Sequence, residues 1–115
     1  MDTEYKNSKT LEARKKESST MLQRFPDRVP VIVQRRKQSI QDIDKKKFMT
    51  PKSLTFGQFV FVVRKRLQLR STEAIFLFTN NKMINSQETM FTTYEKEKDE
   101  DGFLYIIYDF ENPFG

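Results

Sequence analysis

The stretch from Lys47 to Leu69, KFMTPKSLTFGQFVFVVRKRLQL, most narrows the folds open to this chain. It reads as a short strand, a turn marked by Pro51, and then a helix. Taken alone, FVFVV is aromatic and β-branched, as a strand would be. Thr55 followed three residues later by Gln58 makes a capping box, and the segment is long, so the helix is favoured. At 100° per residue, Phe56, Val60, Val63 and Leu67 form one stripe with Phe59 on its edge. Val62 and Leu69 fall about 100–140° from the centre of that stripe, Arg66 lies between Phe59 and Val62, and Phe61 points elsewhere again. A helix lying on a single sheet needs only the first stripe. The surplus implies a second apolar contact, from another layer of the same chain or from a partner in an open groove.

A chain of 115 residues supports one domain with a modest core. With 32% charged residues, that core must come from a few dense apolar segments, and the eleven Phe supply much of it. There is no Cys and no His. Thiol nucleophiles, imidazole bases and nearly every zinc site are thereby excluded, no metal or cofactor is expected, and the fold needs no disulfide. No apolar run approaches the roughly 20 residues of a spanning helix. The opening MDTEYKNSK has no apolar signal core, and Asp2 stands where myristoylation requires Gly. The expected location is therefore cytosol or nucleus.

Charge is unevenly spread. Residues 1–70 hold 18 Lys and Arg against 7 Asp and Glu, whereas residues 71–115 hold 3 against 9. Such polarity suits an acidic peptide, an anionic membrane surface or nucleic acid, although any single lysine cluster is more simply a solvated face.

In order, residues 1–10 read as polar and loosely held. Leu11 to Arg24 is free of Gly and Pro and thinly apolar, so one helix or two short ones end at Pro26. Val29 to Arg35 is a strand, with Pro30 near its start or at a sheet edge. RRKQS is a loop, and a short strand follows at Phe48 and Met49. After the capped helix, Ala74 to Thr79 is a continuous apolar run expected as a central strand buried on both faces. Asn80 and Asn81 tolerate positive φ and predict a tight turn into Lys82 to Ile84. Ser86 is the expected cap of a short helix carrying Met90, Phe91 and Tyr94. KEKDEDG is a turn, and Phe103 to Asp109 is the last strand. An α+β fold follows: a mixed sheet of four or five strands with a helix across one face, the ubiquitin-like β-grasp plan, or else another two-layer sandwich. The organisation is an N-terminal helical extension over 1–26, a β-grasp core over 27–110, and a flexible tail over 111–115.

Three runs then carry a resemblance: FPDRVPVIV (Phe25 to Val33), DIDKKKFMTPKSLTFGQFVFVVRKRLQL (Asp42 to Leu69) and KDEDGFLYIIYDFENPFG (Lys98 to Gly115). Together they are similar to the GABARAP-like autophagy modifiers, the autophagy-related protein 8 family, and the likeness extends back through Tyr5, Lys6, Leu11, Glu12, Arg14 and Glu17. The resemblance implies a β-grasp core with an N-terminal helical pair. It also implies that Gly115 is joined to the amine of phosphatidylethanolamine on autophagic membranes, a covalent modification rather than a cofactor.

The same resemblance implies docking of aromatic-x-x-aliphatic peptides in two pockets. The aromatic pocket maps to Glu17, Met21, Pro30, Ile32, Lys47, Met49 and Phe103. The aliphatic pocket maps to Phe48, Thr50, Pro51, Leu54, Phe59 and Val62, with Arg28 and Arg66 at the rim. Lys45 and Lys46, beside Lys47, are placed to steer acidic peptides. A short strand at Lys47 to Met49, stopped by Pro51, is an edge that a peptide can extend. Implied partners are cargo receptors and autophagy factors bearing such motifs, activating (E1-like) and conjugating (E2-like) enzymes, and a processing or deconjugating cysteine protease. The protein is expected as a monomer before conjugation, cytoplasmic, and on autophagosomal and vacuolar or lysosomal membranes when lipidated. Departures include Leu22 and Gln23 in place of basic residues, a loop after Val33 shorter by one residue, and Thr50 in place of Val or Ile.

Two other classes are weaker. FGQFVFV is superficially like the aromatic RNP1 strand of RNA-binding domains, but Gln58 is an insertion that would turn the following aromatics to the other face. A basic, non-conjugated peptide- or RNA-binding adaptor is the alternative that keeps this likeness, while no nucleic acid is expected as a partner on the main reading. An enzyme would need paired carboxylates, and Asp99, Glu100 and Asp101 sit in one turn that reads as a solvated loop.

Overall fold

The structure is a computed structural model that describes residues 4–114. In chain order the elements are α1 (Glu4–Ser8), α2 (Leu11–Arg24), β1 (Arg28–Arg35), β2 (Lys47–Pro51), α3 (Phe56–Arg66), β3 (Phe76–Thr79), β4 (Lys82–Met83), α4 (Met90–Glu97) and β5 (Leu104–Asp109). The five strands form one sheet in the order β2-β1-β5-β3-β4. β1 and β5 run parallel and the other pairs are antiparallel. This is the mixed α+β sheet of a β-grasp fold.

The central strand is β5, not the Ala74–Thr79 segment. Every residue of β5 is buried between β1 and β3, whereas β3 pairs with β5 at three positions and begins half-exposed. An apolar run alone does not distinguish a central strand from its neighbour. Pro30 lies near the start of β1, as the sequence suggests, although that strand is interior. It is tolerated because pairing with β5 begins one residue later, at Val31.

Side-chain parity divides the sheet into two faces. Val29, Val31 and Val33 of β1 join Leu104, Ile106 and Tyr108 of β5 under α3 and α4. Ile32, Phe103 and Tyr105 face the other way, toward Tyr5 of α1 and Met21 of α2.

The capping box forms as the sequence predicts: Gln58 N–H donates to Thr55 Oγ1 at 3.1 Å, and Thr55 N–H donates to Gln58 Oε1 at 2.9 Å. The remaining early donors of α3 are met from the chain before α4. Phe56 N–H reaches Glu88 O at 2.7 Å and Gly57 N–H reaches Ser86 O at 2.9 Å. Helix α3 buries Phe56, Phe59 and Val63, with Leu67 buried at its C-cap, so Phe59 takes the central place expected for Val60, which is only partly buried. Phe61 and Val62 stay 57% and 37% exposed. The surplus apolar surface is therefore open, and FGQFVFV is helix rather than an RNP1-like strand.

Residues 4–8 are not loose. They form α1, and Tyr5 packs edge-on to Phe103 with ring centroids 5.7 Å apart. Helix α2 is a single helix capped by Thr10. Its thin apolar content is explained by what it buries, Arg14 and Ser18. Arg14 Nε donates to Asp101 Oδ2 at 3.0 Å and Ser18 Oγ to Asp101 O. Asp101 is thus a buried anchor rather than part of a solvated loop. Gly102 beside it has φ +88, and a Cβ there would stand 2.4 Å from Ser18 Oγ.

Asn80 and Asn81, both at positive φ, make the tight turn between β3 and β4. Helix α4 begins at Met90, so its cap is Thr89, whose Oγ1 accepts the Thr92 N–H, and not Ser86. After β5 the tail does not simply project. The Phe114 ring lies edge-on to Phe78 at 5.4 Å. Gly115 lies outside the described residues.

Candidate peptide-docking edge

Strand β2 ends the sheet, so one side of its backbone has no neighbouring strand among the described residues. Val33 N–H donates to Lys46 O at 2.7 Å, and Lys52 N–H donates to Asp27 O at 3.1 Å, both toward β1. Backbone groups alternate along an extended strand, so Phe48 and Thr50 also turn theirs to β1, while Lys47 and Met49 turn theirs to the open edge. Arg28 Nη1 donates to the Met49 carbonyl at 3.1 Å.

The side chains of β2 separate by the same alternation. Lys47 and Met49 pair with Ile32 and Pro30 on the face that carries α1 and α2. Phe48 and Thr50 pair with Val31 and Val29 on the face that carries α3. A single edge strand thus borders two separate apolar regions.

On the α2 side, Glu17, Met21, Pro30, Ile32, Lys47, Met49 and Phe103 are brought together. Ile32 and Phe103 are fully buried and form its base, while Met21, Lys47 and Met49 are partly exposed above them. Lys47 Nζ contacts Glu17 Oε2 across the gap between strand and helix. Burial alone would raise the Glu17 carboxyl, but hydrogen bonds from Lys47, Tyr5 and Lys9 outweigh it and hold the group down to about 2.

On the α3 side, Phe48 and Phe59 are buried and meet edge-on at 5.6 Å. Leu54 packs on them partly buried, Pro51 is exposed, and Val62 stands exposed one helical turn from Phe59. Thr50 is 4% exposed, and its hydroxyl has no hydrogen-bond partner among the described residues. At the rim, Arg66 pairs with Asp44 at 2.9 Å, Lys46 with Asp42 at 2.8 Å, and Lys45 Nζ sits 5.0 Å from the Phe48 ring centroid.

Residues 13–115 match the family model described as autophagy protein Atg8, ubiquitin-like. Autophagy-related protein 8a of Arabidopsis thaliana is 52% identical over 112 residues, covering 96% of this chain and 92% of that protein. Autophagy-related protein 8 of Pichia angusta is 48% identical over 116 residues, covering 100% of this chain and 93% of that one.

The chain belongs to the Atg8 family.

The crystal structure of Trypanosoma brucei ATG8 superposes with a TM-score of 0.89 at 43% identity, over 95% of each chain. Against this Atg8 frame, one residue of the edge, Tyr5, has no site role in a reading of the sequence. Tyr5 donates its hydroxyl to Glu17, and Lys47 Nζ sits 5.6 Å from its ring centroid, so α1 helps build the α2 side. The aromatic at position 5 in an otherwise polar segment was the one available sign. The resemblance puts Arg28 at the rim of the aliphatic side; its guanidinium lies on the strand edge itself, at the Met49 carbonyl.

Proposed function

We propose that this Atg8-family protein is a ubiquitin-like modifier and not a catalyst. On this reading its C-terminal Gly115 is joined to phosphatidylethanolamine and it recruits partners by docking aromatic-x-x-aliphatic peptides on β2. One observation carries the docking part: the outward backbone of Lys47 and Met49 lies between two apolar regions on opposite faces of the sheet. A peptide added to this edge is extended, and its side chains alternate between the faces. Two anchors three positions apart therefore point to opposite faces, one toward Met21 and Met49, the other toward Leu54 and Val62. A spacing of two would send both to the same face.

Titration calorimetry tests this directly. An aromatic-x-x-aliphatic peptide should bind, and the same peptide with one intervening residue removed should lose about 1.5–3 kcal/mol, the worth of one apolar anchor. Equal affinity for both spacings would refute the docking mode. Partners on this reading are motif-bearing cargo receptors and autophagy factors, with activating and conjugating enzymes and a cysteine protease acting at the tail. The unconjugated form works as a cytoplasmic monomer, and the lipidated form on autophagosomal and vacuolar or lysosomal membranes.

A further inference from the structure

At the end of the sheet from which the tail leaves, β1 runs out into a loop that encloses a second site. Gln34, Arg35, Arg36, Lys37 and Gln38, with Glu4 and Asn7 of the α1 side, line a cavity of about 220 Å³. Gln34 is 2% exposed. Its Oε1 accepts the Tyr5 N–H at 2.7 Å, which fixes the orientation of the amide. The other end, Nε2, is buried and has no hydrogen-bond partner among the described residues. Buried donors are rarely left unmet without a ligand, ion or water to receive them.

Of the charged described residues that line the cavity, Arg35, Arg36 and Lys37 are basic and Glu4 is acidic. Arg35 is committed to the loop: its Nη1 donates to Gln38 O at 3.0 Å and to Ile40 O at 3.2 Å, and its Nε lies 3.4 Å from Glu4 Oε1 and 3.8 Å from Asp42 Oδ1. Arg36 contacts Asp109 through Nε, which leaves its terminal nitrogens without a hydrogen bond to any described residue. Lys37 is exposed and makes no ion pair with a described residue. Glu4 is the one carboxylate in the lining among the described residues, and it is held by Arg35. A water would satisfy the Gln34 amide alone. A small anion with several acceptor oxygens serves the amide, the guanidinium fork and the ammonium together.

We propose that this cavity binds a phosphate group, carried by a phospholipid headgroup or as free phosphate, with Gln34 Nε2, Arg36 and Lys37 as its donors. The position bears on the source. Asp109 is the last residue of β5, and Arg36 N–H donates to Tyr108 O at 2.9 Å, so the site adjoins the start of the tail. The proposal does not depend on conjugation of that tail.

The test uses the full chain, isotopically labelled for NMR. Sodium phosphate, titrated at constant ionic strength against chloride, should move the Gln34 side-chain amide resonances saturably. Gln34→Glu keeps the acceptor for Tyr5 but replaces the donor with a negative charge. Lys37→Gln changes an exposed side chain and leaves folding intact. Each should weaken binding about tenfold, as expected for losing a charge-assisted contact. A parallel arm measures co-sedimentation with phosphatidylcholine vesicles with or without phosphatidic acid. Response to phosphate alone identifies a soluble ligand, whereas variant-sensitive binding to phosphatidic acid vesicles identifies a lipid headgroup. If neither probe binds the parent protein, or if both variants bind as the parent does, the site is not a phosphate site.

Discussion

Lys47 on β2 and Glu17 on α2 are joined by an ammonium–carboxylate contact that bridges the edge strand and the helix beside it. Glu17 also receives the Tyr5 hydroxyl and Lys9 Nζ, so one carboxylate gathers groups from α1, α2 and β2. Lys47 is consequently not a free steering charge. Of the three lysines beside the edge, Lys45 is the one left without a carboxylate partner among the described residues.

This arrangement predicts an acid-side loss of stability. The Glu17 carboxyl is depressed to about 2 from its ordinary value of 4.5. A group with a depressed folded pKa contributes fully above its unfolded value and loses that contribution as pH falls through the folded one. The contribution should therefore fade between pH 4.5 and about 2. Because the pair is partly exposed, its loss in Glu17→Gln should cost about 1 kcal/mol at neutral pH. Denaturant unfolding of both proteins as a function of pH should show the difference shrinking toward pH 2. A constant difference would assign the effect to packing instead.

Val62 is the cleanest probe of the α3 side of the edge, since it is exposed while Phe59 is core. Val62→Asp should leave the protein folded and weaken an aromatic-x-x-aliphatic peptide by about 1.5–3 kcal/mol. Calorimetry on a variant with an unchanged melting curve decides it, and undiminished affinity would remove Val62 from the docking surface.

Thr50, paired with Val29, buries a hydroxyl that has no hydrogen-bond partner among the described residues. Thr50→Val replaces it with a methyl group of similar volume and removes the unmet polar atom. Stability should rise by about 1 kcal/mol, and the affinity for a Leu- or Ile-bearing peptide by about 0.5–1.5 kcal/mol. A loss of stability would mean that the hydroxyl is satisfied in solution, by water.

The end of α3 offers a separate test of backbone strain. Gln68 has φ 57, with its N–H donating to Lys65 O at 3.0 Å, and Leu69 N–H donates to Arg64 O at 3.1 Å. This is a Schellman closure, in which glycine is the usual residue at the left-handed position. Gln68→Gly should stabilise the protein by about 1 kcal/mol, read as a higher denaturant midpoint at constant slope.

How much of this was legible in the chain depended on whether the signal was local. Thr55 and Gln58 announce the start of α3, and Asn80-Asn81 the hairpin, because caps and turns are made by residues close in sequence. The short edge at β2 is also legible, because Pro51 stops the strand, whereas its two flanking pockets were implied by the resemblance to the Atg8 family and not by local pattern. What escaped was set by distant partners. Thr89 rather than Ser86 caps α4, since the helix starts only at Met90 and the chain at Ser86 and Glu88 is bonded instead to the first turn of α3. Asp101 looked like part of a solvated acidic turn until Arg14, Ser18 and Tyr105 closed on it. Gln34 gave no sequence signal at all, since its unmet amide exists only because Tyr5 folds onto the other end.

The last prediction concerns Gly115, which follows a tail that is partly held. Pro113 prevents the ladder of β5 from continuing, and Phe114 rests against Phe78 while remaining 49% exposed. An aromatic pair of this kind is worth only about 0.5–1.5 kcal/mol, so an enzyme that grips the tail can lift it at small cost. Glycine has no Cβ, so on the proposed reading a carboxylate at Gly115 can enter a narrow channel and be approached from any side during adenylation and transfer. Joined to phosphatidylethanolamine, the protein would gain two acyl chains, enough for stable anchoring. Gly115→Ala should therefore leave folding and peptide binding unchanged and abolish or greatly slow conjugation. Reconstitution with the family's activating and conjugating enzymes and phosphatidylethanolamine liposomes provides the measurement. Flotation of a Gly115-deleted protein through a covalent lipid would show that attachment occurs elsewhere on the chain.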